Sequence, residues 1–166
     1  METVLNQILL FASVALLIFY VYQKRVRAKA LLMAKNYAVK DVMLDFSDLI
    51  CFQHGVTMEQ ALLKVLKSYQ EYFPVLHADN LIGILKRNDL LKETITSEAN
   101  YISAVMNREF QIISPELGLD AALKLLSKSS FLVVHDGLKS VGLLIKEKAV
   151  EYLLVLGLKQ EFKEDK

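Results

Sequence analysis

The sequence predicts an α+β fold made of two β-α-β-β-α units packed face to face, preceded by one long transmembrane and juxtamembrane helix. Three observations support this prediction. The chain opens with an uncharged apolar run, a pattern of about sixty residues then occurs twice, and each copy contains two short apolar runs separated by turn-forming residues. A chain of 166 residues is long enough for one compact domain of this kind.

The first segment, residues 1–23, is predicted to be a membrane anchor. Residues 4–22 carry no charge, and about 20 helical residues span the ~30 Å hydrocarbon core of a bilayer. Tyr20 and Tyr22 lie where an interfacial aromatic belt is expected. Basic residues follow directly, so the positive-inside rule predicts a single-pass membrane protein with its N-terminus outside and the remainder in the cytoplasm.

Two alternatives compete with the anchor: a cleaved signal peptide and a buried helix of a soluble domain. A signal peptide would carry positive charge before the apolar run, whereas Glu2 stands there. Residues 24–38 stay helix-friendly and basic, so the helix is predicted to continue as a juxtamembrane linker. This linker could contact anionic lipid headgroups or serve only as a solubilising flank.

The repeated pattern divides the remaining chain into repeat 1 (residues 39–97), repeat 2 (residues 98–157) and a polar tail (residues 158–166). In each repeat a short β-prone segment precedes a helix. The helix of repeat 1 is predicted to begin after Thr57, which forms a capping box with Gln60. Its buried face is predicted to consist of four apolar residues: Ala61, Leu62, Val65 and Leu66.

After the first helix, each repeat continues with two strands and a second helix. The strands are joined by residues 78–80 in repeat 1 and by residues 136–137 in repeat 2, which are of types that favour tight turns. One such unit exposes an apolar sheet face that it is too short to cover. Two copies packed against each other bury both faces, which is a physical reason for the duplication.

The order of these motifs resembles a tandem of CBS domains, known as a Bateman module. Both copies begin with a "DVM"-like lead-in and carry an apolar-Gly-apolar run, and repeat 1 has the "PV" pair at Pro74 and Val75. The resemblance implies a regulatory module whose cleft binds an adenosine nucleotide, such as ATP, ADP or AMP. It also implies a homodimer formed through the repeats, and a membrane enzyme or transporter as a further partner.

The resemblance places the candidate nucleotide site in repeat 1. Ligand-binding members carry a glycine, a hydroxyl residue and an aspartate, which here correspond to Gly83, Lys86 and Asp89. Asp89 would accept hydrogen bonds from ribose hydroxyls, and Lys86 with Arg87 would meet phosphate as point charges. In the structural alternative, Asp89 only stabilises the first turn of a helix and both basic residues are solvated.

The remaining candidate site residues also have structural interpretations. Pro74 can fix an edge-strand geometry and Gly83 can permit close strand packing. In repeat 2, Ile145 and Lys148 stand at the hydroxyl and aspartate positions, so that half lacks the usual ribose contact. The candidate site therefore consists of Pro74, Val75, Gly83, Lys86, Arg87 and Asp89.

The anchor, the basic linker and the paired repeats also resemble the C-terminal part of site-2-type intramembrane zinc peptidases. The catalytic H-E-x-x-H motif is missing, because no glutamate follows any of the three histidines. We therefore expect no catalytic residues and no metal site. The chain could be a regulatory subunit or a truncated relative of such a peptidase.

Two bulk features narrow the function further. The net charge of +1 and the scattered basic residues argue against a nucleic-acid partner. Cys51 is the only cysteine, so an internal disulfide and a cysteine-based zinc site are excluded, and we expect this side chain to be buried.

Overall fold

The computed structural model describes the backbone of residues 2–96 and 99–164, and the side chains outside 1–11, 23, 26–27, 30, 96–98 and 157–166. Within this part the chain forms five α-helices and two small sheets, which confirms the predicted α+β fold. The helices are α1 (Glu2–Ala34), α2 (Met58–Leu66), α3 (Arg87–Thr96), α4 (Leu119–Leu126) and α5 (Lys146–Glu164). The strands are β1 (Leu44–Asp45), β2 (Phe52–Gln53), β3 (Tyr72–His77), β4 (Asn80–Lys86), β5 (Ile112–Ile113), β6 (Phe131–His135) and β7 (Ser140–Ile145).

Each repeat builds one sheet around an antiparallel hairpin. Repeat 1 has the strand order β2-β3-β4, and repeat 2 has the order β1-β7-β6-β5, in which β1 comes from the start of repeat 1. The strands β2 and β5 pair in parallel with β3 and β6. The hairpin of repeat 1 turns through Ala78 and Asp79, both with positive φ, and that of repeat 2 turns through Gly137 with φ 100°.

The segments that lead into the two repeats are exchanged. The lead-in to repeat 1 packs on repeat 2, where Val39 N–H donates to Leu117 O at 2.9 Å and β1 pairs with β7. The lead-in to repeat 2 packs on repeat 1, where Asn107 exchanges two backbone hydrogen bonds with Ile84, at 2.8 and 2.9 Å. Separating the halves would therefore break backbone pairing as well as apolar contact.

The hydrophobic core follows this exchange. One cluster joins Val39 and Val42 to the core of repeat 2, and another joins Ile102 and Met106 to the core of repeat 1. A third cluster packs the two sheets against each other and contains Ile84, Phe131, Val133, Leu143 and Ile145. The predicted repeat boundaries follow the sequence period, whereas each core takes its lead-in from the other repeat.

The helix α2 begins as predicted. Thr57 Oγ1 accepts from Gln60 N at 3.3 Å and Gln60 Oε1 accepts from Thr57 N at 3.4 Å, which confirms the capping box. The predicted buried face is partly wrong. Ala61 and Val65 are buried, but Leu66 is 61% exposed and Met58 takes its place, because the stripe that meets the sheet is i, i+3, i+7.

Cys51 is half-buried rather than fully buried, and burial raises the pKa of its thiol, which disfavours the reactive thiolate.

No helix in the part of the chain that the structure describes has the length and apolar content to cross a membrane. Much of the predicted anchor falls in residues 1–11, whose side chains lie outside the described part, so the anchor stays a prediction.

Candidate functional site

Two clefts open where the repeats meet. The first, which we call the basic cleft, has a volume of about 350 Å³. It is lined by Lys86, Asn107, Glu109, Leu126, Ser127, Lys128, Ser129, Ser130, Phe131 and Lys146. The second, the acidic cleft, measures about 600 Å³. It is lined by Leu44, Asp48, Leu49, Tyr69, Gln70, Glu71, Tyr72, Asn88, Ile145, Glu147 and Lys148.

The basic cleft is assembled from three elements of both repeats. Lys86 is the last residue of β4 in repeat 1, and residues 127–130 form the loop between α4 and β6 in repeat 2. Lys146 opens α5, and its N–H donates to Ser130 O at 3.0 Å, which fixes the loop against the helix start. The loop is further held by Ser129, whose hydroxyl donates to Phe131 O at 2.7 Å.

The two clefts carry opposite charge. The basic cleft combines three lysines with the single carboxylate of Glu109. The acidic cleft combines Asp48, Glu71 and Glu147 with Lys148, whose ammonium pairs with Glu151 at 2.8 Å. A phosphate group would therefore be attracted to the basic cleft and repelled by the acidic one.

An aromatic pair separates the clefts. The rings of Tyr72, which lines the acidic cleft, and Phe131, which lines the basic one, lie 5.2 Å apart. Burial raises the pKa of Tyr72 against a smaller lowering by its hydrogen bond to the Ser130 side chain, so the phenol stays neutral. Lys86 Nζ lies 5.8 Å from the centre of the Phe131 ring, a cation–π contact that holds the ammonium at the cleft.

Of the predicted site residues, one lines either of the two clefts described above. Lys86 lines the basic cleft, as a phosphate contact requires. Asp89 is exposed in the first turn of α3 and lines neither cleft. Pro74, Val75 and Gly83 are buried in the sheet of repeat 1, where they hold strands together.

Arg87 has a structural role. Its guanidinium donates to the carbonyl oxygens of Ser68 and Gln70, the latter at 3.1 Å, and lies 3.5 Å from the Glu71 carboxylate. Its side chain is only 16% exposed. Arg87 therefore ties the loop before β3 to the start of α3, and it lines neither cleft.

Gly83 permits a close strand approach. A Cβ at this position would stand 2.6 Å from Met106 Sδ and 3.1 Å from Asn107 O. Pro74 was predicted to fix an edge strand, but β3 is the central strand of its sheet. The residues of β3 that pair with β2 are Val75 and Leu76, and Pro74 comes just before them. The missing N–H of Pro74 therefore costs no hydrogen bond between these two strands.

Sequence reasoning missed most of the basic cleft. Lys128, Lys146 and the serines of the loop come from repeat 2, where the family motif falls on Ile145 and Lys148 and therefore indicates none of them. A detectable signal was the run Ser127 to Ser130, "SKSS", directly before a buried strand. Lys86 of repeat 1 completes the basic cleft. It lies too far from this run along the chain for one local motif to contain both.

Comparisons with known proteins agree on the fold. The sequence model of the CBS domain matches residues 39–95 and 102–155. No curated protein sequence matches the chain. Among solved structures, a hemolysin-like protein containing a CBS domain from Oenococcus oeni is similar with a TM-score of 0.66 and 19% identity, over 76% of this chain and 96% of that one.

Two other similar structures contain nucleotides. The CBS domain of a bacterial CNNM/CorC family Mg²⁺ transporter in complex with ATP has a TM-score of 0.68 and 17% identity, over 80% of this chain and 97% of that one. CBSX2 in complex with AMP has a TM-score of 0.63 and 22% identity, over 73% and 98% of the two chains. At these identities the likeness shows a shared fold.

Proposed function

Because the chain belongs to the CBS domain family, with both of its repeats matched, we propose that it is a regulatory module without catalytic activity that binds an adenosine nucleotide through the basic cleft. The observation that carries this proposal is the meeting of Lys86, Lys128 and Lys146 around one cleft between the repeats. Three ammonium groups facing one carboxylate favour a ligand with several negative charges, such as a nucleotide phosphate chain.

The basic cleft offers two kinds of phosphate contact. Lys86 supplies a charge that is already positioned by the Phe131 ring, so less side-chain entropy is lost on binding. The loop 127–130 supplies serine hydroxyls beside the lysines. A cleft of about 350 Å³ lies within the common range for small-molecule sites.

Asp89 is proposed to bind the ribose of the adenosine. This residue follows Lys86 by three positions, in the first turn of α3, and its exposed carboxylate can accept from two neighbouring ribose hydroxyls. The ATP and AMP complexes of the similar structures support an adenosine ligand over a bare phosphate.

The proposal extends to a membrane anchor formed by α1. Leu16, Tyr20 and Tyr22 are 69%, 64% and 65% exposed, which leaves a large apolar surface for a partner such as lipid. At the other end of α1, Met33 and Ala34 are buried. Ala34 belongs to the core of repeat 2, so a movement of repeat 2 relative to repeat 1 would also move this end of α1.

The nucleotide proposal is tested by calorimetric titration of the full chain, kept in detergent, with ATP, ADP, AMP and tripolyphosphate. We expect Lys86→Ala to weaken ATP and tripolyphosphate about 10-fold or more, as for loss of one charged contact. Asp89→Asn should weaken ATP and leave tripolyphosphate unchanged, because only ATP carries ribose. Lys139→Ala is the matched control, since Lys139 is exposed at the turn of repeat 2 and lines neither cleft.

Two results would overturn the nucleotide proposal. One is the absence of binding heat for every adenosine nucleotide at millimolar concentration. The other is an equal loss of ATP affinity in Lys139→Ala and Lys86→Ala, because this would show that the basic cleft has no special role.

We further propose that the module acts on a membrane enzyme or transporter, and that it pairs with a second copy through its repeats. The sequence resemblance to the tail of site-2-type zinc peptidases makes such a peptidase one candidate partner. Crosslinking in native membranes, followed by purification in detergent, would identify the partner. Recovery of the monomer alone would contradict both the dimer and the membrane partner.

A further inference from the structure

Two histidines of repeat 1 meet at the carboxyl ends of adjacent parallel strands. The strands β2 and β3 pair Phe52 with Val75 and Gln53 with Leu76, so His54 and His77 come next to each other. His54 N–H donates to Leu76 O at 3.0 Å, which continues the ladder to this point. The two Nδ1 atoms are 3.0 Å apart and the rings are nearly perpendicular, at 82°.

We propose that His54 and His77 bind one divalent transition-metal ion of the copper or nickel type through their Nδ1 atoms. With metal–nitrogen bonds of roughly 2.0–2.1 Å, nitrogens 3.0 Å apart subtend about 94° at the ion. This angle fits adjacent positions of a square-planar or octahedral site. A tetrahedral zinc ion would require a separation of roughly 3.3 Å.

The chemistry of the pair agrees with this assignment. Neutral imidazole is a preferred ligand of copper and nickel, and copper binds most tightly among the divalent first-row ions. In the hydrogen-bonded pair the donor ring is in its Nδ1–H tautomer, so binding the ion through both Nδ1 atoms requires that ring to adopt the Nε2–H tautomer, with no net change in the number of protons. Both rings are exposed, so they have room to turn until both lone pairs meet on the ion.

The site has two protein ligands, and water completes the coordination. Among the described residues, no group of three or more histidine, cysteine, aspartate or glutamate side chains could hold a metal. The backbone fixes the pair, because His54 directly follows β2 and His77 is the last residue of β3, and these two strands are hydrogen-bonded to each other. This pre-organisation allows two ligands to bind an ion that flexible histidines would bind only weakly.

Repeat 2 provides an internal control. Its parallel pair β5 and β6 continues with Ser114 beside His135, so the second histidine is missing. His135 Nδ1 already accepts from Gly137 N–H at 3.0 Å. The pairing is thus specific to repeat 1, and His135 supplies a third histidine that stands apart from it.

The test is calorimetric titration of the full chain, without a histidine tag, with Cu²⁺, Ni²⁺ and Zn²⁺ at neutral pH. We expect one Cu²⁺ per chain, with Zn²⁺ bound more weakly. His54→Gln and His77→Gln should each reduce copper affinity about 10-fold or more, and His135→Gln should leave it unchanged. Thermal unfolding of each variant without metal verifies the fold, which should persist because His54 and His77 are exposed.

Electron paramagnetic resonance of the Cu²⁺ complex gives an independent readout, since two imidazole nitrogens on copper produce a characteristic hyperfine pattern. That pattern should reduce to one nitrogen in either His54 or His77 variant. Equal copper affinity in all three variants would overturn the proposal. So would a copper complex whose nitrogen signal disappears only in His135→Gln.

Discussion

Replacing Gly142 with alanine should destabilise the protein much more than the equivalent change at Gly83. A Cβ at Gly142 would stand 2.5 Å from Leu44 O, a backbone atom of β1 that pairs directly with β7. A Cβ at Gly83 would clash with the side chain of Met106, at 2.6 Å from Sδ, and its backbone neighbour, Asn107 O, stands farther away at 3.1 Å. A methionine side chain can turn aside, whereas a paired carbonyl moves only if its strand moves.

The magnitudes follow from two opposing terms. Overpacking costs about 1–3 kcal/mol, and replacing glycine with alanine returns about 0.5 kcal/mol by restricting the unfolded chain. For Gly142→Ala we take the upper end of the overpacking cost, which gives a net loss of about 2.5 kcal/mol in the free energy of unfolding. Gly83→Ala lies at the lower end, for a net loss of about 0.5 kcal/mol.

Urea unfolding followed by circular dichroism and tyrosine fluorescence measures the difference, since the chain has seven tyrosines and no tryptophan. With a typical urea dependence, Gly142→Ala should lower the unfolding midpoint by about 1 M. Gly55→Ala is the matched control, because nothing lies within 4 Å of a Cβ there and its φ is not positive. It should be neutral or slightly stabilising.

Equal midpoints for the Gly142 and Gly83 variants would refute the reasoning, because the argument depends on whether a backbone atom or a side chain opposes the new methyl group. A large loss in Gly55→Ala would refute it as well, since it would show that a glycine can be required without a close neighbour.

Three further predictions concern the exchanged lead-in, the loop before β3 and the turn of repeat 2. Ile102→Ala should lower the free energy of unfolding by about 2–4 kcal/mol, because this fully buried side chain completes the core of repeat 1; Ile95→Ala, at an 86% exposed position, is the control in urea unfolding. Arg87→Lys should cost about 1–2 kcal/mol in the same measurement, because an ammonium cannot reproduce the guanidinium contacts to Ser68 and its neighbours. Backbone N–H donors lower the pKa of Asp136, so its carboxylate should stabilise the folded protein at pH values above its ordinary pKa. This stabilisation should decrease as the pH falls below about 4, and comparing the unfolding free energies of wild type and Asp136→Ala across pH measures it.

Each of these three predictions has a contrary outcome. An Ile102→Ala variant as stable as Ile95→Ala would mean that the exchanged lead-in does not support repeat 1. A lysine that fully replaces Arg87 would show that charge alone, and not the fork of donors, holds the loop. A stability difference at Asp136 that grows as the pH falls would reverse the sign of the proposed linkage.

Much of the fold was predictable because the relevant signals are local. The capping box at Thr57 and Gln60 depends on residues three positions apart, and the strand pairs depend on short apolar runs beside turn residues. The error at Leu66 has a physical cause. Val65 and Leu66 are adjacent in the helix and point in different directions. When Val65 faces the sheet, Leu66 cannot face it as well.

Among the candidate site residues predicted from the sequence, Lys86 is the one that the structure places in the basic cleft. Its position after an apolar-Gly-apolar strand marks the end of β4, which lies between the repeats. Arg87 stands next to it in the chain but points to the loop before β3. Adjacent residues at a strand end point in different directions, so the sequence could not separate a cleft residue from a structural one.

The sequence by itself determined the two repeats, their secondary structure and the family, because these depend on the order of residues along the chain. Only the tertiary structure decided which segments exchange, why one cleft is basic and the other acidic, and that His54 meets His77. The physical reason is distance along the chain. Lys86 and Lys146 share a cleft, and β1 pairs with β7, only because the packing of two apolar sheet faces brings them together.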